Sequence, residues 1–164
     1  MQQLLGEYEC KLDAKGRMRL PSALLRQLSA QGEHVFVVNR GIENCLQLYT
    51  LVEWERISAE VNALDPYVKK NRLFIRRFHR GATRVSPDAQ DRIMLPQRLR
   101  EYAGIEKEAV VFAYGGNIEV WSKDRYDAMY DEEPEDFAEL AEDVMKQARE
   151  RDADGGGVET VILT

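Results

Sequence analysis

Three cationic side chains fall at alternate positions in Asp13-Ala14-Lys15-Gly16-Arg17-Met18-Arg19-Leu20-Pro21. Asp13 and Gly16 occupy the first and fourth places of a tight turn. The aspartate can accept hydrogen bonds from the turn's own backbone and the glycine tolerates positive φ, which predicts a type I turn followed by a left-handed bulge position. Lys15 then projects from the turn, and Arg17 and Arg19 share one face of the returning strand by period-two alternation. Phosphates and guanine edges suit such a cluster: arginine offers a bidentate fork, lysine a point charge, and exposed backbone amides further donors. Taken alone, D-x-x-x-R equally describes an Asp–Arg pair that only holds a hairpin.

The motif recurs 75 residues later as Asp88-Ala89-Gln90-Asp91-Arg92-Ile93-Met94-Leu95-Pro96. Gly6 matches Gly81 at the same offset, Leu46-Gln47-Leu48-Tyr49 matches Ile118-Glu119-Val120-Trp121 once three residues are dropped, and Trp54 falls on Tyr126. Two copies in the same order, differing in length only at a turn, imply a duplicated unit of about 45 residues. So short a unit is marginal alone, so the copies must pack together or with other chains. They are not equal: Lys15 becomes Gln90, Gly16 becomes Asp91 and Arg19 becomes Met94. The expectation is that copy one supplies most of the contact through Lys15, Gly16, Arg17 and Arg19, with Arg92 a lesser contact and Asp13, Asp88 and Asp91 shaping the turns. Asp91 can adopt the left-handed conformation at modest cost, so the second turn can survive without its glycine.

The elements that must position these residues follow from the patterning. Strands are predicted over Glu7 to Leu12, Arg17 to Leu20, Val35 to Val38 and Cys45 to Tyr49, with a turn at Asn39-Arg40-Gly41. Pro21 opens a short helix bearing Leu24, Leu25 and Leu28, and Leu51 to Leu64 is broadly helical. Asp65-Pro66 reads as the cap and first turn of another helix running to Phe78. The expected organisation is a first repeat over 7–52, a helical connector over 53–81, a second repeat over 82–124, an acidic helical segment over 125–152 and a flexible tail over 153–164. In that segment Pro134 opens a stretch where Phe137, Leu140, Ala141, Val144, Met145 and Ala148 recur at helical spacing, and Gly155-Gly156-Gly157 ends it.

Charge divides along the chain. Of its 29 acidic and 23 basic residues, 12 and 3 lie in 129–164, leaving 17 acidic and 20 basic in 1–128. The net charge of −6 therefore hides a basic body beside an acidic segment, and local potential is what phosphate feels. Lys69, Lys70, Arg72, Arg76, Arg77 and Arg80 form an acid-free run that reads as a second DNA surface or, because Leu73, Phe74, Ile75 and Phe78 interleave, as an element packed on the core whose cations meet acids of a neighbouring chain or the tail.

Other chemistry finds little support. Cys10 and Cys45 lack metal-ligand or redox spacing and read as buried hydrophobes; His34 and His79 have no partners at ligand or triad spacing. Glu132, Glu133, Glu135 and Asp136 read as a solvated helix start, not a metal site. No Walker A or G-x-G-x-x-G motif is present. No enzyme, cofactor or small-molecule substrate is expected. No apolar run reaches the roughly 20 residues of a membrane span, and the N-terminus lacks a secretory pattern, so a cytoplasmic location is expected.

The stretch from Gly6-Glu7-Tyr8 through Pro21, together with Leu46 to Tyr49, Glu53-Trp54-Glu55 and the second D-x-x-x-R copy, resembles the MraZ family over residues 1 to about 150. The resemblance implies an α+β fold: a pseudo-symmetric, duplicated swapped-hairpin β-barrel of two SpoVT/AbrB-type units, with flanking helices and, here, the acidic amphipathic C-terminal helix. It implies assembly of copies into a closed ring on double-stranded DNA, recognition of short direct repeats in the promoter of the division and cell-wall gene cluster, and regulation of that cluster, usually as a repressor, in association with the nucleoid. Asp13, Arg17, Asp88 and Arg92 occupy the motif positions. A ring-forming, non-enzymatic adaptor is the alternative; it would have no need of the exposed Lys15, Arg17 and Arg19.

Overall fold

A computed structural model of the chain describes residues 3–28, 34–131 and 136–155. Among the described residues eight strands and six helices follow in order: β1 (Leu4–Lys11), β2 (Arg17–Arg19), α1 (Ser22–Leu28), β3 (Phe36–Arg40), β4 (Leu46–Thr50), α2 (Leu51–Asn62), α3 (Lys69–His79), β5 (Thr83–Val85), β6 (Arg92–Met94), α4 (Gln97–Ala103), β7 (Glu108–Gly115), β8 (Asn117–Ser122), α5 (Lys123–Asp131) and α6 (Phe137–Ala153). Residues up to Tyr126 form one compact unit, and the chain from Asp127 a second.

Strand exchange between the repeats organises the first unit. Each repeat makes an antiparallel hairpin, β3·β4 in the first and β7·β8 in the second. The opening strand of each repeat then joins the other repeat's hairpin: β1 pairs with β7 over Leu4↔Gly115 to Lys11↔Glu108, and β5 pairs with β3 over Phe36↔Val85 to Val38↔Thr83. The resulting sheet runs β1-β7-β8-β4-β3-β5, with β1 and β5 as its end strands, and β2·β6 forms a separate two-stranded ribbon joined to β1 through the Leu12–Met18 bridge. The duplicated swapped-hairpin fold is thus realised as two sheets instead of one closed ladder.

Equivalent residues of the two repeats pair with each other at two places, Met18↔Ile93 in the ribbon and Gln47↔Glu119 in the sheet. Both pairs lie on the pseudo-two-fold axis. Met18 and Ile93 are wholly buried and sit in one core with Leu20, Leu24, Leu28, Phe36, Leu95, Leu99, Val111 and Val120. Neither repeat closes this core alone, which is why a unit too short to fold by itself is stable as a duplicate.

Local chemistry moves two boundaries. The turn expected at Asn39-Arg40-Gly41 falls later: Asn39 and Arg40 extend β3, and the chain turns over residues 41–45, where Gly41 N–H donates to the Cys45 carbonyl at 2.8 Å. Asn39 is buried yet satisfied, its amide donating to the Phe78 carbonyl at 2.6 Å and its Oδ1 accepting the Arg40 N–H at 2.8 Å, so it has no need of a turn. Asp65-Pro66 likewise does not open α3. Asp65 Oδ1 takes the Tyr67 N–H at 2.9 Å, making a turn of its own, and the helix starts at Lys69 behind the uncapped Val68.

In the second unit, Asp136 caps α6 by accepting the Ala138 N–H at 3.0 Å, and Phe137, Leu140, Val144 and Met145 form an exposed apolar stripe. Glu132, Glu133, Pro134 and Glu135, together with the glycine linker beyond Gly155 and the tail to Thr164, lie outside the described residues. No helix among the described residues is long and apolar enough to cross a membrane.

Candidate nucleic-acid interface

Both D-x-x-x-R segments fold into the same loop. In the first, Gly16 N–H donates to the Asp13 carbonyl and Asp13 N–H to the Arg17 carbonyl, each at 3.0 Å. In the second, Asp91 N–H donates to the Asp88 carbonyl at 3.0 Å and Asp88 N–H to the Arg92 carbonyl at 2.9 Å. The bulge positions have φ of 85° at Gly16 and 60° at Asp91, the latter being the one non-glycine positive φ among the described residues. Asp91 thus survives in the left-handed region, as expected of aspartate.

The motif aspartates act as staples. Asp13 Oδ1 accepts the backbone N–H groups of Lys15 and Arg17, each at 3.0 Å, while Oδ2 pairs with Arg17 Nε at 2.7 Å. Asp88 does the same for Gln90, Arg92 and Arg92 Nε, the last at 2.9 Å. Led by the Arg17 backbone N–H, these donors hold the Asp13 carboxyl down at about 2. Asp88 is lowered too, first by the Arg92 N–H. Each motif arginine is therefore anchored at Nε, which fixes the plane of its guanidinium while the far nitrogens point onward. The Asp–Arg pair that holds a hairpin and the arginine that offers a fork are the same pair.

Three arginines come together where the sequence suggests a cluster in the first copy and a lone Arg92 in the second. Within β2·β6, Arg19 lies opposite Arg92, and Arg17 opposite Met94. Because Met18 and Ile93 point into the core, Arg17, Arg19, Arg92 and the half-exposed Met94 share the outward face. Arg92 Nη1 also approaches Asp13 Oδ2 at 3.8 Å, tying the second repeat's arginine to the first repeat's loop. Lys15 and Arg19 are exposed and make no ion pair among the described residues. The ribbon thus presents a cationic surface whose third corner comes from the other repeat, and Arg92 is a member of the first loop's cluster.

One residue escapes sequence reasoning. Arg100 on α4 donates from Nε to the Leu95 carbonyl at 2.9 Å, and its guanidinium lies so close over Gly16 that a Cβ there would meet Cζ at 2.6 Å. The signal was present in the repeat: the equivalent of Arg100 is the buried Leu25. A cation replacing a core leucine between copies marks a place where symmetry is broken.

The basic run behaves differently from the loops. No residue of α3 is fully buried: Ile75 and Phe78 are half-buried while Leu73 and Phe74 are exposed, so the expectation that the interleaved apolar residues pack on the core is met by only part of the set. Only the C-terminal end docks: Phe78 stacks on Trp54 at 5.4 Å, and Arg40 donates to the carbonyls of Arg77 and Arg80 at 2.7 and 3.0 Å. So short a dock leaves Lys69, Lys70, Arg72, Arg76, Arg77 and Arg80 on a largely solvent-facing element.

The cysteines and histidines offer no competing chemistry. Burial pushes the Cys10 thiol up to about 11 and Cys45 up to about 12, which keeps both protonated near neutral pH. His79 Nδ1 is within 2.8 Å of the Ile75 carbonyl, and His34 stacks on Phe36 at 6.0 Å.

Two interlocked hairpin units that present one arginine-faced ribbon define a duplicated swapped-hairpin protein. The sequence profile described as "MraZ protein, putative antitoxin-like" matches twice, over residues 3–77 and 78–148, in step with the structural repeat. A protein of Christiangramia forsetii named "Transcriptional regulator MraZ" is 44% identical over 146 residues, covering 88% of this chain and 94% of its own length. A Flavobacterium psychrophilum protein of the same name is 40% identical over 146 residues, covering 88% and 93%. The chain belongs to the MraZ family.

Proposed function

We propose that this chain is a sequence-specific DNA-binding transcription regulator that grips double-stranded DNA with the β2·β6 ribbon. The observation that carries the reading is the shared outward face of Arg17, Arg19 and Arg92, with Lys15 at the loop tip. Anchored guanidiniums suit phosphate oxygens and guanine O6/N7, and the loop's small dimensions suit a groove. Lys15, Gly16, Arg17 and Arg19 make most of the contact, with Arg92 the lesser partner. Following the family, its targets are short direct repeats in the promoter of the division and cell-wall gene cluster, including its own, which it represses in the cytoplasm at the nucleoid.

A ribbon of this size makes few contacts, so copies act together. Two unlike surfaces support assembly: α3 carries five cations and no acid beside exposed Leu73 and Phe74, while the first two turns of α6 carry Glu139, Glu142 and Asp143 beside exposed Phe137 and Leu140. Unlike, oppositely charged patches on one chain suit head-to-tail contacts between copies, which close into rings. Linked sites then gain avidity of roughly 10²–10⁴ on successive repeats. A rigid ring does not match a straight duplex, so the DNA bends or some ring contacts yield.

Footprinting on the promoter upstream of this gene, comparing wild type with Arg17→Ala, tests the reading. Protection of repeated short sites, lost in the variant, is expected. Native mass spectrometry of the complex tests assembly, and a monomer bound at full affinity would end the ring argument. A ring that forms normally and shows no salt-dependent DNA affinity would favour the adaptor reading instead.

A further inference from the structure

We propose that Arg100, carried by the second repeat, is a positioning residue that holds the first repeat's loop in its DNA-gripping shape; the proposal rests on the reading of that loop as the DNA-binding element. Two hydrogen bonds through Leu95 connect the two. Gly16 is paired through its carbonyl with the Leu95 N–H at 3.0 Å, and the same Leu95 offers its own carbonyl to Arg100 Nε at 2.9 Å. Arg100 N–H in turn bonds the Pro96 carbonyl at 3.0 Å, seating the residue in the first turn of α4. The guanidinium then lies over Gly16, where a Cβ would meet its Cζ at 2.6 Å and displace it. A planar cation pressed on the bulge position restrains the backbone that aims Lys15 and Arg17.

The second loop supplies an internal control. Leu25 N–H bonds the Pro21 carbonyl at 3.0 Å, just as Arg100 bonds Pro96, and Leu20 N–H bonds the Asp91 carbonyl at 2.8 Å, just as Leu95 bonds Gly16. The backbones match, and the side chains differ at two linked positions. Where the helix offers Arg100, the loop has Gly16; where it offers Leu25, the loop has Asp91. Glycine suits the first loop because its bulge position has φ 85° and a side chain there would push the guanidinium aside, whereas the second loop, with a buried leucine in that place, carries a side chain at φ 60°. Gly16 and Arg100 therefore form one device, and its two halves come from different repeats.

The test uses the full-length protein and a duplex from its own promoter, with three variants: Arg100→Leu, Gly16→Asp and the double substitution. Arg100→Leu weakens DNA binding about tenfold, the size expected for loss of a charge-assisted hydrogen bond. It leaves the slope of log affinity against log salt unchanged, and raises amide hydrogen exchange at Lys15 to Arg17 while the melting temperature stays near wild type. Gly16→Asp displaces the guanidinium and weakens binding similarly. The double variant, which recreates the second loop's pairing, binds no worse than the weaker single variant. Unchanged binding in Arg100→Leu overturns the proposal, as does a salt slope reduced by about one, which marks a direct phosphate contact, or full additivity in the double variant. Arg19→Ala serves as the control: if it too leaves binding unchanged, the reading of the loop as a DNA grip fails, and not merely the role of Arg100.

Discussion

The two loops of this chain share the backbone hydrogen bonds of their turns and differ in the side chains at three outward-facing or bulge positions. Each has its aspartate stapling the turn and its arginine held at Nε. The first carries Lys15, Gly16 and Arg19 with Arg100 pressed beneath; the second carries Gln90, Asp91 and Met94 with Leu25 in place of Arg100. The comparison teaches that shape and charge are specified by different residues. Turn geometry needs only the aspartate, its backbone partners and a tolerant bulge position, so a duplicate can keep its scaffold while its surface chemistry drifts. It also shows that the asymmetry is not between two independent grips, because the ribbon places Arg92 opposite Arg19 and within reach of Asp13.

The sharpest way to break the comparison is at the axis, where both loops share one support. Met18→Ala empties a wholly buried site facing Ile93 and costs about 2–5 kcal/mol in denaturant unfolding. Loss of order in both loops together, followed by amide exchange, is expected; disorder confined to the first loop would show the ribbon does not couple them.

Arg17→Ala is next. It removes an anchored fork and leaves Asp13 facing phosphate, and affinity for the promoter duplex should fall by roughly 2–3 kcal/mol, against about 1 kcal/mol for Arg92→Ala. Equal losses in a titration at fixed salt would abolish the asymmetry. Asp91→Gly sharpens it from the other side: removing a surface anion near the cationic face should improve affinity about twofold to fivefold. A weakened complex would mean that Asp91 contributes more than loop geometry.

The smallest effect is in acid. The Asp13 carboxyl lies lowered to about 2 from its ordinary 3.8, so its staple contributes order that is fully present above pH 4 and fades as pH falls toward 2. Asp88, also lowered, fades in the same direction. Amide exchange at Lys15 and Arg17 should rise over that window, and Asp13→Asn should show the raised exchange already at neutral pH.

Much of the fold was open to inspection in the residue order. The 75-residue echo, the turn chemistry of Asp13 and Gly16, and the Pro-led helix with Leu24, Leu25 and Leu28 are local patterns, and they appear in the structure at the expected places. Boundaries were less well determined where a side chain had two uses: Asn39 reads as a turn residue until Phe78 supplies a carbonyl for its buried amide, and Asp65 reads as a helix cap until Tyr67 takes its oxygen. The apolar residues of α3 misled for a related reason, since periodicity reports an apolar face and not what covers it.

The sequence by itself determined that the protein is a duplicate, that each copy bears a stapled turn, and that the cations favour the first. Those properties are carried by neighbours along the chain, where spacing is information enough. Tertiary structure alone decided that β1 and β5 change places, that Arg92 stands against Arg19, and that Arg100 lies over Gly16. Each joins residues from different repeats, and such pairings follow from how two incomplete cores close on one another, which no local period encodes.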